Sequence, residues 1–163
     1  SVYPELADSL SNRNGHTVLT PHAAEAARLL GISSTDAQNN RIETIKELVK
    51  RFNCYVVHKG AGSICMLPDG KYYINTSGNP SLSSAGTGDV LSGIIGALLA
   101  QGLAVKKALL LSVYLHGAAA DKLLEQTGGP VGITASEITD SARELLNKWV
   151  YSPHSRGCNK ERH

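Results

Sequence analysis

Gly86, Thr87, Gly88 and Asp89 are the residues of this sequence whose types and spacing most clearly indicate chemistry. An apolar run with helical spacing follows them directly, so we expect them to form the first turn of a helix. The free N–H groups of a first turn and the positive end of the helix dipole attract phosphate. Asp89 would repel such a ligand unless it binds a metal or accepts a proton from an attacking hydroxyl. The four residues therefore indicate phosphoryl chemistry.

A structural alternative treats the same residues as an ordinary loop of glycine and serine. In that case Asp89 only stabilises the positive end of the helix dipole. The density of small residues from 77 to 88 argues against this alternative, because such a loop loses much conformational entropy when it becomes ordered. The pattern therefore favours a functional role.

A second glycine-rich segment follows an apolar stretch of β type and comprises Lys59, Gly60, Ala61, Gly62 and Ser63. A lysine beside exposed backbone N–H groups suits a phosphate or a ribose. The complete P-loop pattern is missing, so a glycine-rich turn with a solvated lysine explains the segment as well.

A third polar segment contains His22 and Glu25 at the junction of a short β-type run and a helix-type run. Ligands bind at the carboxyl ends of strands in open α/β sheets, so these side chains are candidates for a site. The structural alternative has Thr20 as the helix cap, Pro21 as the first helical residue and Glu25 at the positive end of the dipole. The local sequence alone favours this alternative.

His116 and Asp121 lie five positions apart in a long helix-type stretch, which places them about 140° apart around the helix. They are therefore a poor metal or catalytic pair. The small residues 117–120 between them predict close helix packing, and we interpret His116 as a core or interface histidine.

Several elements must position these segments. Helices are predicted at 23–30, 36–52, 105–125 and from 135 onward, and the turn 68–70 predicts a hairpin. Their alternation with short strands favours an α/β fold with a largely parallel sheet. The number of strands is low for so many helices, as though part of the domain were missing. Residues 152–163 are expected to be a disordered tail.

The overall composition agrees with one globular domain of 163 residues, with 42% hydrophobic residues and a net charge of +2. The three cysteines lack metal-ligand spacing and predict free thiols in a reducing compartment, so we expect a cytoplasmic protein. No run is long and apolar enough to suggest a membrane span, and no basic face with interleaved aromatics suggests nucleic acid.

Taken together, these segments resemble the ADP/ATP-dependent NAD(P)H-hydrate dehydratases, a family with a carbohydrate-kinase-like domain. The resemblance runs from about Val18 to Trp149 and rests on the order of five motifs, at 18–31, 59–62, 78–79, 86–102 and 116–121. It implies a ribokinase-like three-layer α/β sandwich. It also implies repair of hydrated NADH or NADPH: ADP or ATP phosphorylates the added hydroxyl, and phosphate then leaves.

The resemblance also implies residue roles. Asp89 would be the catalytic base and would contact the hydrated cofactor, together with His22 and Glu25. Gly86, Thr87 and Gly88 would form the anion hole for the phosphoryl group. The nucleotide would be held by these three residues and by Lys59, Gly60, Ala61, Gly62, Ser63, Gly78 and Asn79. Magnesium is expected to accompany the nucleotide, with no metal site built from protein side chains alone.

The sequence departs from the family pattern in two places and at its beginning. Ala23 and Ala24 replace the usual Pro-Gly, and Ala85 stands where a glycine usually precedes the motif. The leading strands and helices of the family domain have no counterpart, so we expect residues 1–151 to be the C-terminal part of that domain. A homo-oligomer, or association with the N-terminal part, is expected to cover the sheet edge. A catalytically incomplete nucleotide-binding module and a kinase of a small molecule remain alternatives.

Overall fold

The computed structural model describes residues 8–10 and 12–152. The strands are β1 (Val18–Leu19), β2 (Tyr55–His58), β3 (Ile64–Met66) and β4 (Tyr72–Ile74). The helices are α1 (Ala23–Leu30), α2 (Ser34–Asn39), α3 (Arg41–Phe52), α4 (Thr87–Ala100), α5 (Val105–Thr127) and α6 (Ala135–Tyr151). A short 3-10 helix spans Pro80–Ser83. The tail expected to be disordered lies outside the described residues, except for Ser152, and so does Cys158.

The strands form a mixed sheet in the order β1-β2-β3-β4. β1 and β2 are parallel, whereas β2 and β3 and then β3 and β4 are antiparallel. The expectation of a largely parallel sheet is therefore wrong for the described residues. The loop 59–63 is too short for a parallel crossover, which needs a dozen or more residues, so β3 must run back beside β2. The hairpin predicted around 68–70 is confirmed as β3 and β4.

Helices cover both faces of this sheet, which gives three layers. On one face, α1 and α3 pack on inward side chains of β2 and β3, among them Val56, Ile64 and Met66. On the opposite face, α4 and α5 pack on Val57 and Cys65. The alternation of Val56 and Val57 between the two clusters follows the two-residue period of a strand. The three-layer sandwich expected from the sequence is thus confirmed.

α6 packs on the outer side of α5 rather than on the sheet. Ala119 and Ala120 are fully buried against Ile138 and Ala142, and the Ser141 hydroxyl donates a 3.1 Å hydrogen bond to the carbonyl oxygen of Ala119. The small side chains of α5 allow this close approach, as predicted. α6 begins at a capping box of Thr134 and Glu137.

The predicted helix 36–52 is two helices instead of one. Ser33 caps α2, and its hydroxyl accepts a hydrogen bond from Asp36 N. Asn40 then leaves the helical conformation, with φ −119° and ψ 48°, before α3 begins at Arg41. The backbone of Asn40 serves both helices: its N–H donates to the carbonyl oxygen of Asp36 at the end of α2, and its carbonyl oxygen accepts from Thr44 N at the start of α3. The break fixes the position of Arg41 at the start of α3.

A candidate nucleotide and phosphoryl-transfer site

The loop 59–63 joins β2 to β3 and carries Lys59 at the carboxyl end of β2. Two glycines of the loop have positive φ, Gly60 at 151° and Gly62 at 63°, which residues with a Cβ rarely adopt. The Arg41 guanidinium holds the loop from outside, donating to the carbonyl oxygens of Ala61 at 2.7 Å and Gly62 at 2.9 Å. The sequence predicted the loop but not its anchor on α3.

Lys59 connects this loop with the end of β1. Its Nζ lies 3.3 Å from Glu25 Oε2, and its backbone N–H donates to the carbonyl oxygen of Pro21 at 2.9 Å. Parallel β1 and β2 end at the same sheet edge, so the residues that follow them meet there. The structure therefore brings the segment 20–25 and the loop 59–63 together at this edge.

His22 and Glu25 form a capping box at the start of α1. Glu25 Oε2 accepts from His22 N at 2.7 Å, and His22 Nδ1 accepts from Glu25 N at 3.3 Å. The helix cap is therefore His22, and the alternative in which Thr20 caps the helix is wrong. Thr20 instead places its hydroxyl 3.1 Å from that of Ser92 on α4, which ties the end of β1 to α4.

Burial alone would raise the pKa of Glu25. The hydrogen bond from the His22 backbone and the positive charge of Lys59 oppose burial and lower this pKa overall. Glu25 is therefore an anion at neutral pH and holds Lys59 as its counter-ion.

The helix start at 86–89 has the geometry predicted from the sequence. Gly86 is the helix cap with φ 84°, and α4 begins at Thr87. Thr87 is buried, and its hydroxyl lies 2.6 Å from the carbonyl oxygen of Leu82 and 2.8 Å from that of Ser84. Asp89 lies in the first turn and is not buried. The threonine thus fixes the turn, and the carboxylate is free to meet a ligand.

Lys59 also reaches this helix start. A Cβ added to Gly88 would lie 3.1 Å from Lys59 Nζ, so the absence of a side chain at 88 makes room for the ammonium group. A cation beside the N–H groups of a first turn strengthens the attraction of that turn for phosphate. Lys59 is therefore shared between the α1 segment and the α4 segment.

α5 supports the site through the side chain of His116, which contacts the start of α4. The His116 Nε2 lies 2.9 Å from the carbonyl oxygen of Thr87, and a carbonyl can only accept, so Nε2 carries the proton. Burial lowers the pKa of His116, and this hydrogen bond offsets only part of that effect. Because the pKa is lowered, the ring is neutral at pH 7. The interpretation of His116 as a core histidine is correct as to burial, and its hydrogen bond to the backbone of Thr87 also positions that residue.

Asp121 supports the site from the same helix. Its two carboxylate oxygens accept from Gly78 N at 2.8 Å and from Asn79 Nδ2 at 3.0 Å. Asn79 Oδ1 in turn accepts from Ser81 N and caps the 3-10 helix. His116 and Asp121 thus do not meet as a pair, but each fixes a different part of the segment 77–87. Sequence reasoning missed the role of Asp121, because its partners lie about forty residues earlier in the chain.

These loops enclose a cavity of about 650 Å³, large enough for a small-molecule ligand. Among the sequence-predicted residues, the cavity is lined by Lys59, Gly60, Ala61, Gly62, Ser63, Gly78, Asn79, Thr87 and Gly88. Its apolar wall includes Ile74, Leu82, Leu91 and Val113. His22, Glu25, Gly86 and Asp89 adjoin the lining residues without lining the cavity themselves. The predicted nucleotide residues are therefore together, and the predicted cofactor residues lie at one side of them.

Within residues 8–10 and 12–152, no group of three or more His, Cys, Asp or Glu side chains could hold a metal ion. An ion at the start of α4 would therefore take most of its ligands from a bound molecule rather than from the described side chains. Within the same residues, none of the helices has the length and apolar character needed to cross a membrane.

The fold is a layered α/β fold. A glycine-rich loop and a helix start of the kind that binds phosphate lie together at one edge of its sheet. These features define a protein of the ribokinase-like class. A ribokinase-like superfamily protein from Enterococcus faecalis has the same fold at a TM-score of 0.69 and 24% identity, over 89% of this chain and 51% of that one. Residues 3–143 match the family described as NAD(P)H-hydrate dehydratase, and the chain belongs to that family.

Individual relatives agree with this assignment. The chain is 47% identical to the ADP-dependent (S)-NAD(P)H-hydrate dehydratase of Neisseria meningitidis serogroup B, over 80% of this chain and 44% of that protein. It superimposes on the ADP/ATP-dependent NAD(P)H-hydrate dehydratase of Bacillus subtilis, which was co-crystallised with ATP and Mg²⁺, at a TM-score of 0.78 and 33% identity. That match covers 85% of this chain and 50% of that one. The chain thus spans about half the length of these relatives.

Proposed function

We propose that this chain acts in the repair of hydrated NADH and NADPH, by ADP- or ATP-dependent dehydration, and supplies the nucleotide site and the catalytic carboxylate. The observation that carries the proposal is the position of Lys59. Its ammonium group bridges Glu25 and the start of α4, and its loop lines the cavity. Three segments that are far apart in the sequence thereby meet at one site of the kind that binds phosphate.

In this proposal the start of α4 binds the phosphoryl group. The N–H groups of Gly86 and Gly88 would face developing negative charge at a helix N-terminus, where the dipole favours it. The Thr87 N–H already donates to the carbonyl oxygen of Ser84 at 3.4 Å, so Thr87 holds the turn in place. Thr87 is locked by its hydrogen bonds to the preceding loop and by His116. Donors that are fixed before the reaction need no reorganisation when charge develops, which is the main source of such catalysis.

Asp89 acts as the base on the added hydroxyl of the hydrated ring. It accepts the hydroxyl proton as the oxygen attacks the terminal phosphorus of the nucleotide, and the bond to the bridging oxygen breaks. With ADP the leaving group is AMP. The C–O bond of the new ester then breaks to release phosphate, a proton leaves the neighbouring ring carbon for water, and the re-formed C=C bond restores the reduced nicotinamide ring. Asp89 suits this task because it is accessible in the turn that binds the phosphoryl group.

His22 and Glu25 form the side of the site that faces the hydrated cofactor. Their capping box makes this side rigid, and Glu25 orients Lys59 through their 3.3 Å ion pair. The adjoining loop 59–63 and the segment 78–79 hold the nucleotide, with their backbone positions fixed by Arg41 and Asp121.

Magnesium fits this site as a companion of the nucleotide. Mg²⁺ usually keeps several waters and binds substrate phosphates rather than a cage of protein side chains, so the nucleotide would supply most of its ligands. When bound, the ion would neutralise phosphate charge during transfer. The N. meningitidis relative is named for ADP, which makes ADP the first donor to test.

The proposal extends to the molecule's setting. Residues 1–151 would be the C-terminal part of a ribokinase-like domain, and a second copy or the N-terminal part of the domain would cover the open side of β1. Buried Cys54 and Cys65 are free thiols, which agrees with a reducing compartment such as the cytoplasm.

One observation favours a second candidate function, a nucleotide-binding module without turnover. The cavity is lined by the nucleotide residues, whereas His22, Glu25 and Asp89 lie outside its lining. Such a module would bind ADP or ATP but would leave the hydrate unchanged.

An assay with hydrated NADH and ADP or ATP separates the two candidates. Repair predicts that the absorbance of NADH returns in the wild type and that Asp89→Asn lowers the rate by about a hundredfold or more, typical of losing a general base. ADP binding by calorimetry should remain within about threefold in Asp89→Asn, because a base contributes to the transition state rather than to nucleotide binding. Wild-type binding of ADP without any recovery of NADH would support the module and contradict repair.

A further inference from the structure

The side chain of Arg41 contacts the nucleotide loop and the end of β2 through its three nitrogen atoms. Nη1 donates to the carbonyl oxygen of Ala61 at 2.7 Å and Nη2 to that of Gly62 at 2.9 Å. Nε donates to Nδ1 of His58, the last residue of β2, at 3.3 Å. The open side of Gly60 lies against the same group, since a Cβ there would be 3.4 Å from Nη2. Arg41 thus spans the loop from its β2 end to Gly62.

These contacts fix the direction in which the carbonyl groups of the loop point. Ala61 and Gly62 direct their carbonyl oxygens to Arg41, and the carbonyl oxygen of Gly60 accepts from the Ser63 hydroxyl at 3.1 Å. The carbonyl oxygen of Ser63 accepts from Asn75 N at 2.9 Å. Every carbonyl from 60 to 63 therefore has a donor within the chain.

The backbone N–H groups of the same loop differ from its carbonyl groups in this respect. The part of the chain that the structure describes offers no acceptor to the backbone N–H groups of Gly60, Ala61 and Gly62. All three residues line the cavity. Consecutive backbone N–H groups left without an acceptor form a concave binding site for an anion. The carbonyl oxygens of the loop are therefore hydrogen-bonded, whereas its backbone N–H groups are available to a ligand.

We propose that Arg41 is a positioning residue for nucleotide binding, which sets the loop so that its N–H groups meet the nucleotide phosphates while its carbonyl oxygens stay turned away. This inference rests on the proposed nucleotide site and assigns that site a determinant on α3. Arg41 does not line the cavity, so it acts through the loop rather than on the ligand.

The chemistry explains why an arginine is needed at this position. A loop with two glycines of positive φ has many accessible conformations, and turned peptides would present carbonyl oxygens to an anionic ligand. The planar guanidinium holds two neighbouring carbonyls at fixed geometry, whereas a lysine ammonium is a flexible point charge. Setting the loop before binding removes an entropy cost from the binding step.

His58 completes the anchor from the β2 side. Its ring is fully buried and accepts from Arg41 Nε, which requires Nδ1 to be unprotonated. Burial and the nearby charge of Arg41 lower the pKa of His58 to about 4, with a smaller effect of His22 in the same direction. The ring is therefore an acceptor for Arg41 at every pH near neutrality.

The test compares Arg41→Lys with a matched control, Arg143→Lys, in the intact protein. Arg143 is an exposed residue of α6 that pairs with Asp140 and does not line the cavity. Calorimetry with ADP measures the Kd, steady-state kinetics measure the KM for nucleotide and kcat with the hydrate, and thermal unfolding measures stability. Hydrogen exchange of residues 60–62 in the wild type, with and without ADP, provides a readout that needs no variant.

The positioning role predicts that Arg41→Lys raises the Kd for ADP and the KM for nucleotide by about tenfold, equal to about 1.4 kcal/mol. It predicts that kcat at saturating nucleotide changes by less than about threefold, because Arg41 does not touch the reacting atoms. The control should match the wild type in all parameters. In the wild type, the amides of 60–62 should exchange rapidly and become protected when ADP binds.

Three results would overturn the inference, and the first two are unchanged ADP affinity in a folded Arg41→Lys variant and amides of 60–62 that ADP leaves unprotected. A wild type that binds ADP normally but never restores NADH would contradict the proposed repair function and leave the Arg41 inference standing. A variant that loses stability and kcat in proportion, with unchanged KM, would show that Arg41 only supports the fold.

Discussion

At the scale of residues, the site depends on a few polar side chains that hold backbone rather than ligand. Arg41 holds the loop 59–63, Asp121 holds Gly78 and Asn79, and His116 holds Thr87. Each makes charge-assisted or buried hydrogen bonds, which are stronger than exposed neutral ones. The groups expected to meet the ligand are thus oriented by a surrounding set of partners.

The buried His58 leads to a prediction about pH. Its pKa is about 4 in the folded protein and 6.5 in a solvated reference, so the unfolded chain binds the proton first as the pH falls. The stabilisation is complete above about pH 6.5 and is lost progressively down to about pH 4. The unfolding free energy attributable to His58 should fall by about 2 kcal/mol between pH 8 and pH 5.

Urea unfolding of the wild type and of His58→Asn at the two pH values measures this effect. The introduced asparagine does not titrate, and its amide oxygen can replace Nδ1 as the acceptor for Arg41, so only the proton linkage is removed. The difference between the two proteins should shrink at pH 5. Parallel losses of stability in both proteins would show that His58 titrates normally when folded.

The sequence indicated the residues that are proposed to have direct chemical roles more readily than the residues that support them. Glycine, lysine and carboxylate at helix starts and strand ends carry a local signal, so the segments 22–25, 59–63 and 86–89 could be recognised. Arg41 and Asp121 carry none, because their partners are backbone groups about twenty and forty residues away. His58 likewise carries no local signal, because its role depends on the packing of α3 beside β2.

At the scale of elements, α5 is the helix that shapes the site. Its residue Gly117 packs directly on the loop before the anion hole: a Cβ there would lie 2.2 Å from Ser77 Oγ and 2.7 Å from the Ser77 carbonyl carbon. Ser77 also donates from its hydroxyl to the carbonyl oxygen of Tyr114. The sequence predicted close helix packing for the small residues 117–120, and at Gly117 the close neighbour is a loop.

Substitution of this glycine should therefore have a different effect from substitution of a glycine elsewhere in a helix. Gly117→Ala forces the backbone at Ser77 to move, so we expect it to destabilise the protein by about 1–3 kcal/mol and to weaken ADP binding. Gly96→Ala, at an exposed position of α4 with no neighbour within 4 Å of the added Cβ, should stabilise it by about 0.5–1 kcal/mol.

Chemical unfolding and ADP titration of both alanine variants provide the measurement. The two substitutions add the same methyl group to helical glycines, so their difference isolates the contact with Ser77. Equal stability changes in both variants would contradict the close approach at Gly117.

Helices and turns could be predicted from the sequence where a cap or a hydrophobic periodicity marked them. The pairing of strands was harder to predict. The start of α6 at its capping box and the hairpin at 68–70 were evident from residue types. The division of α2 from α3 depended on the backbone at Asn40, which no local pattern required. The antiparallel pairing of β2 with β3 followed from the shortness of the glycine loop, whose functional signal obscured its role as a turn.

At the scale of the whole molecule, the fold places the nucleotide residues at one end of the sheet. Helices α1 and α3 cover one face, α4 and α5 cover the other, and the loops after β1 and β2 open between them. Among the described residues, β1 is one edge strand of the sheet, with two half-buried residues, and the chain spans about half the length of the relatives it matches.

The most direct test of the central claim measures how nucleotide consumption is coupled to repair. Hydrated NADH is incubated with ADP and Mg²⁺, and NADH, AMP and phosphate are quantified together by absorbance and ³¹P NMR. Phosphoryl transfer to the added hydroxyl, followed by loss of phosphate, predicts that all three products form in equal amounts, and that all three disappear in Asp89→Asn. Recovery of NADH without AMP, or AMP and phosphate without NADH, would contradict the account.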